Sequence, residues 1–128
     1  MIKHITIILA FLVTLSSPVA AQDFAKGVTA LTTGPVDFAT ALKELKPLAE
    51  DGHHPSQWFL GLMYNKGYGV LSDYVLSHMW YNIASVNGHK LGTMATESVA
   101  EKMTSADISK AQAMARECMS SSYTKCGY

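Results

Sequence analysis

The sequence is poor in charge and shows no bias between the two signs. Ten Lys and Arg stand against ten Asp and Glu, together 16% of 128 residues. No basic stripe is present that could neutralise a phosphate backbone, which excludes the usual nucleic-acid binders. No run of like charge marks a disordered tail. There are two cysteines, Cys118 and Cys126. A zinc module would need two further ligands close by, and none accompany them. The one long apolar run, Ile5 to Leu15, is well short of the ~20 residues a membrane-spanning helix requires. No stretch alternates apolar and polar residues as a half-buried strand does.

That apolar run belongs to "MIKHITIILAFLVTLSSPVAAQ". A short basic start (Lys3, His4) precedes the run, and the small residues Val19, Ala20 and Ala21 follow Ser16, Ser17 and Pro18. This is the layout of a secretory leader, with cleavage expected after Ala21. No cysteine lies near the cut, so a lipid anchor is not indicated, and no later segment would hold the product in a membrane. Residues 22–128 then form the mature domain, enough for one modest core. Export also bears on the cysteines. An isolated pair in an exported protein favours a Cys118–Cys126 disulfide, closing a loop of about nine residues and stabilising by roughly 2–3 kcal/mol.

What the sequence does contain is a repeat. "DFATALKELKPLAEDGH" from Asp37 and "DYVLSHMWYNIASVNGH" from Asp73 align without a gap at a shift of 36 residues. The shift pairs Asp37 with Asp73, Phe38 with Tyr74, Gly52 with Gly88 and His53 with His89. Each copy opens on an acid able to cap a helix and closes on Gly-His, where a helix stops on a residue tolerant of left-handed dihedrals. Between the caps, Tyr74, Ser77, Trp80, Tyr81 and Ala84 share one helical face while Leu76, Met79 and Ile83 share the other. A helix apolar on both sides is sandwiched between neighbours.

The preceding segment, Ser56 to Asn65, carries its own stripe of Gln57, Leu60, Gly61 and Tyr64. A glycine inside that helix gives up ~1 kcal/mol of propensity, which points to close approach by the helix bearing Trp80 and Tyr81. "QDFAKGVTALTTGPV" reads as a first helix stopped by Gly34 and Pro35. "KLGTMATESVAEKM" reads as a fifth, weakly patterned helix. Thr104 to Asp107 form an acid-closed capping box opening a sixth. Six helices in three pairs are predicted, about the smallest stable stack of this kind.

These residues resemble the Sel-1-like repeat family, relatives of the tetratricopeptide repeat. Gln57, Leu60, Gly61, Met63, Tyr64, Gly67, Gly69, Val70, Asp73, Tyr74, Trp80, Tyr81, Ala84, Gly88 and His89 stand at positions matching the family's unit. The resemblance implies an all-α fold, a short α/α solenoid of helix pairs. Its best repeat is residues 54–89, preceded by a half repeat at 37–53 and followed by capping helices at 90–120. It also implies a protein or peptide partner; the residues themselves lead to no expected catalytic set, cofactor or metal, and the leader points to the periplasm or beyond. Phe59 replaces a common asparagine, and the copy from Leu91 lacks the Leu-Gly and Gly-x-Gly features.

Three candidate chemistries compete with that reading. Gly67-Tyr68-Gly69 follows a helix and lacks the third glycine of a phosphate-binding loop, so the glycines are assigned to a turn. His53 and His54 are adjacent, a spacing unsuited to shared chelation on a helix, and His78 reads as a boundary residue. Ser122-Tyr123-Thr124-Lys125 fits the Ser-x-x-Lys pattern. Cysteine-rich relatives described as β-lactamases make a cell-wall hydrolase the enzyme alternative, although the partner motifs are absent. A secreted factor meeting a host is a further alternative. For the partner, the resemblance places the first helix of each pair on the concave side, which nominates Phe59, Leu62 and Lys66. Those side chains form either a binding groove or a further layer of core.

Overall fold

The computed structural model describes residues 18–128. Most of the proposed leader therefore lies outside the described residues, and α1 (Pro18–Thr32) runs through the expected cleavage position at Ala21. Five more helices follow: α2 (Phe38–Glu50), α3 (His54–Lys66), α4 (Tyr74–Val86), α5 (Gly92–Ala100) and α6 (Ser105–Ser120). Among the described residues there is no strand.

The helix ends repeat as the sequence does, because their causes are local. Asp37 accepts from the Thr40 N–H at 3.0 Å and Asp73 from the Leu76 N–H at 3.0 Å. Thr104 does the same for Asp107 at 3.1 Å. At the end of α2, Gly52 adopts a φ of +88°. The Gly52 and His53 N–H groups donate to the Ala49 and Leu48 carbonyls at 3.1 and 3.0 Å. The end of α4 is built the same way: Gly88 has a φ of +97°, and the Gly88 and His89 N–H groups donate to Ser85 and Ala84 at 3.0 and 2.8 Å. Both are Schellman closures. The Gly67-Tyr68-Gly69 segment is a turn: Gly67 ends α3 in the left-handed region, and Tyr68 stacks on Phe38 with ring centroids 4.6 Å apart.

Packing centres on α4. It lies against α3 on one side and against α5 and α6 on the other. The expected third pair is looser than the first two, since α5 and α6 each dock chiefly on α4. The main core gathers Leu60 and Tyr64 of α3, Leu76, Met79, Trp80 and Ile83 of α4, and Ala115 and Cys118 of α6. A second cluster joins α1 to α2 and α3 through Ala41, Leu45 and Met63, with Phe24, Leu31 and Phe59 packed on it. His78, expected at a boundary, is instead buried at 3% exposure. Burial holds its imidazole below the ordinary value, and among the described residues its Nδ1 has no hydrogen-bond partner. Its flanking Ser77 and Met79 are buried as well, so α4 has no solvent edge at that turn.

Cys118 and Cys126 form the expected disulfide. It returns the chain over the core, where Cys126 is buried and Tyr128 donates to the Glu50 carboxylate at 2.7 Å. Tyr128 also lies beneath the Lys46 ammonium, 4.1 Å from its ring centroid. Cys126→Ser is expected to remove about 2–3 kcal/mol and lower Tm by roughly 10–20 °C in a domain of this size. The helical circular-dichroism signal should survive, because the crosslink ties only the end of α6. A shift of a degree or two would show that the hook contributes nothing.

Candidate functional site

The α3 helix distributes its side chains among three neighbours. At ~100° per residue, Gln57, Leu60, Gly61 and Tyr64 face α4, and the fit is tight. A Cβ built at Gly61 would lie 2.6 Å from Tyr81 Cδ1, while Ser77 donates its hydroxyl to the Gly61 carbonyl at 2.8 Å. Rotated from that face, Phe59 leans toward α1, with its ring centroid 6.0 Å from Phe24. Trp58 and Asn65 turn the other way, toward α5. Leu62 is half-buried and Lys66 exposed, and the wheel places both between these two directions.

Of the three nominated residues, Phe59 is therefore shared with the second core cluster, while Leu62 and Lys66 lie on the more open part of the face. The structure adds residues that the sequence did not nominate for binding. Between α3 and α5 is a depression of about 270 Å³ lined by Trp58, Asn65, Tyr81, Leu91, Met94, Ala95 and Ser98. Leu91 and Met94 are 47% and 67% exposed. Among the described residues, Trp58 Nε1 and Asn65 Oδ1 have no hydrogen-bond partner although both atoms are buried. The only trace of this in the sequence was the weak patterning of α5, which leaves apolar side chains without a core to enter.

A second depression, about 600 Å³, adjoins it through Leu91 and is lined by His54, Pro55, Gly88, His89 and Lys90. Here the fold assembles imidazoles from two repeat turns. His89 stacks on Trp58 at 5.6 Å and 12°, and His54 meets His89 edge-on at 5.6 Å. His53 lies 4.9 Å from Phe24, also edge-on. His53 Nδ1 accepts from the Ser56 N–H at 3.4 Å, acting as the cap of α3, and His89 Nδ1 accepts from the Leu91 N–H at 3.2 Å. Accepting at Nδ1, a neutral His89 carries its proton on Nε2, while His53 Nδ1 also lies 2.7 Å from the Ser56 hydroxyl. Burial first, and the neighbouring His54 second, hold His53 and His89 below the ordinary imidazole value. Among the described residues, no three His, Cys, Asp or Glu side chains converge as metal ligands would.

The remaining nominated residues are structural or peripheral. Trp80 is fully buried, and Tyr64 and Tyr81 nearly so. Tyr74 is partly exposed beneath Lys102. Gly69 has a φ of +72° and a Cβ there would sit 2.9 Å from Phe38 Cβ. Ser122 and Lys125 are both exposed on the tail beyond α6.

No protein-family profile and no curated protein matches the chain. A solved structure does: c5321, described as a protective antigen present in uropathogenic Escherichia coli strains displaying an SLR (Sel-1-like repeat) fold. The two superpose with a TM-score of 0.73 and 27% sequence identity over 81% of this chain and 24% of that one. This chain has the Sel-1-like repeat fold. The helix pair α3–α4 spans the segment that the sequence analysis matches to a full Sel-1-like unit, with Gly61 at its contact and Gly67 at its turn. The chain corresponds to about a quarter of the length of c5321.

Proposed function

We propose that this Sel-1-like repeat protein is an exported, non-catalytic adaptor of the cell envelope that binds a protein partner along the face between α3 and α5. The observation that carries this reading is the open depression floored by Trp58 and Tyr81 and rimmed by exposed Leu91 and Met94. Apolar side chains left in solvent around an open depression are what an interaction surface offers. Leu62 and Lys66 extend the face along α3, and Phe59 anchors it to α1. Export is supported by the leader pattern in the sequence and by the disulfide, which is stable in oxidising compartments. The description of c5321 as a protective antigen favours a second reading, a secreted factor that meets a host, built on the same face.

The test uses protein recovered from the periplasm, whose first residue should be Gln22, as bait in an envelope extract. Met94→Asp and Lys66→Glu, each folded by circular dichroism, should both lose a partner that the unaltered protein captures. Phe59→Asp should melt the α1–α3 contact and so serves as the control for core damage. Capture unchanged in the two folded variants moves the site off this face.

A further inference from the structure

We infer that the C-terminal segment from Ser121 to Tyr128 is a thiol-controlled hook. The Cys118–Cys126 disulfide holds it shut over the Trp80 side of α4, and reduction by a dithiol releases it while the helices stay packed. The device is separate from the binding face proposed above, since neither Trp80 nor any residue of the hook lines the α3–α5 depression.

The hook reaches from α6 back to α2 across α4. Cys126 is 2% exposed and belongs to the core cluster that holds Leu76 and Trp80. Beyond it, the Tyr128 ring lies 6.5 Å from that of Trp80, and its hydroxyl donates to Glu50 of α2. Gly127 between them has a φ of +88°, and a Cβ there would run into Met114 of α6. Trp80 is fully buried, so lifting residues 126–128 uncovers an edge of the core bordered by Lys46 and Glu50. When that edge opens, α4 keeps its contacts with α3, α5 and α6.

Two features make the hook depend on its crosslink. The first is backbone conformation. Ser122 and Tyr123 have φ of +53° and +64°, in the left-handed region that residues with a Cβ disfavour. A tail free to move leaves that region. The second is the lack of backbone support toward the end. The Ser122 and Tyr123 N–H groups donate to the Met119 and Cys118 carbonyls, and the Lys125 N–H donates to Ser121 Oγ at 3.0 Å. After Lys125, no backbone N–H has a partner among the described residues. Residues 126–128 are thus held by side chains, the disulfide and a Tyr128 that is 54% exposed. One exposed hydrogen bond and one ring contact are small against the entropy of ordering the end of a chain.

Release is a thiol–disulfide exchange. Both cysteines are buried, so the reagent reaches sulfur when residues 126–128 briefly lift. A thiolate of the dithiol then attacks Cys126 Sγ, the sulfur on the unsupported segment. The S–S bond breaks with its electron pair going to Cys118 Sγ, which takes up a proton. The second thiol of the reagent displaces Cys126 from the mixed disulfide. The dithiol ends as a disulfide, and the protein has gained two electrons and two protons.

The test compares the disulfide-bonded protein with the same protein reduced by dithiothreitol, well below Tm. On reduction the Trp80 indole N–H resonance should move as the Tyr128 ring leaves it, and the Trp58 resonance should stay. Amide protection of Tyr123 and Lys125 should fall at least about tenfold, the scale on which losing a short-loop crosslink shifts an opening equilibrium. It should end below the protection of Met79 and Ile83 in α4, with the helical circular-dichroism signal unchanged. Cys126→Ser should show the released spectrum without any reagent, which separates the hook from other effects of dithiothreitol. A Trp80 resonance that stays in place in the reduced protein or in Cys126→Ser overturns the inference. So does protection lost to the same level in the hook and in α4, because the segment then opens only when the whole domain does.

Discussion

Gly61→Leu is expected to lower Tm by about 8–16 °C and to leave the domain marginal. A Cβ at this position would already lie 2.6–2.9 Å from three atoms of the Tyr81 ring. Tyr81 is 3% exposed and borders free space only at the α3–α5 depression, so the rest of the leucine must wedge α3 from α4. Overpacking of this kind costs about 1–3 kcal/mol, and contact with a nearly buried ring puts it at the upper end. The substitution also recovers up to ~0.8 kcal/mol of helix propensity, which leaves a net loss of about 2 kcal/mol. In a domain of roughly 100 residues each kcal/mol is worth about 4–8 °C. The cause is specific to the ring, which the double variant tests: in a Tyr81→Ala background, Gly61→Leu should be neutral or stabilising in thermal melts. The same destabilisation in both backgrounds would show that the Tyr81 contact is not what the glycine serves.

Gln57→Leu should be damaging to a similar degree although leucine is close to it in size. Gln57 is fully buried and ties three parts of the fold together. Its Nε2 donates to the Ala49 carbonyl at 3.0 Å, and its Oε1 accepts from Asn87 Nδ2 at 2.9 Å. Asn87 Nδ2 also donates to the Tyr123 hydroxyl at 3.0 Å. The network thus links the end of α2, the start of α3, the end of α4 and the loop closed by the disulfide. Two lost hydrogen bonds contribute about 1 kcal/mol each. The Ala49 carbonyl keeps the Gly52 N–H and Asn87 keeps Tyr123, so the penalty for stranded groups is moderated. A Tm lower by about 8–16 °C is expected. Because Gln57 and Asn87 act through one bond, Gln57→Leu combined with Asn87→Ala should cost less than the two separate losses added together. Strict additivity would mean that the bond carries no stability.

Much of the fold was legible in the sequence because its determinants are local. A capping oxygen reaches an N–H three residues on, as Asp37, Asp73 and Thr104 do. A glycine in the left-handed region closes a helix within the span of one turn, as Gly52 and Gly88 do. The double-sided apolar pattern of α4 announced its place at the centre. The resemblance of residues 54–89 to a Sel-1-like unit rests on such short-range features. His78 was misjudged because its depth depends on α4 being covered on a side where the pattern of one helix is silent.

The site was legible only in part. The sequence alone determined that α3 would turn Phe59, Leu62 and Lys66 away from Tyr64, since that follows from helical geometry. It left open whether Phe59 was core, and only the seating of Phe24 on the α1 side brought it into the second cluster. The α3–α5 depression exists because α5 docks on α4 and leaves a gap beside Trp58, which no local pattern encodes. The meeting of His54 and His89 joins residues 35 positions apart, and it arises because two equivalent Gly-His turns are brought side by side. Spacing within a helix argued against chelation by His53 and His54 but was blind to this approach. Local dihedral preference and periodicity determined the helices, their ends and their order. The angles at which the helices pack, set by which side chains can interlock, decided where the open surface lies and which side chains face one another across it.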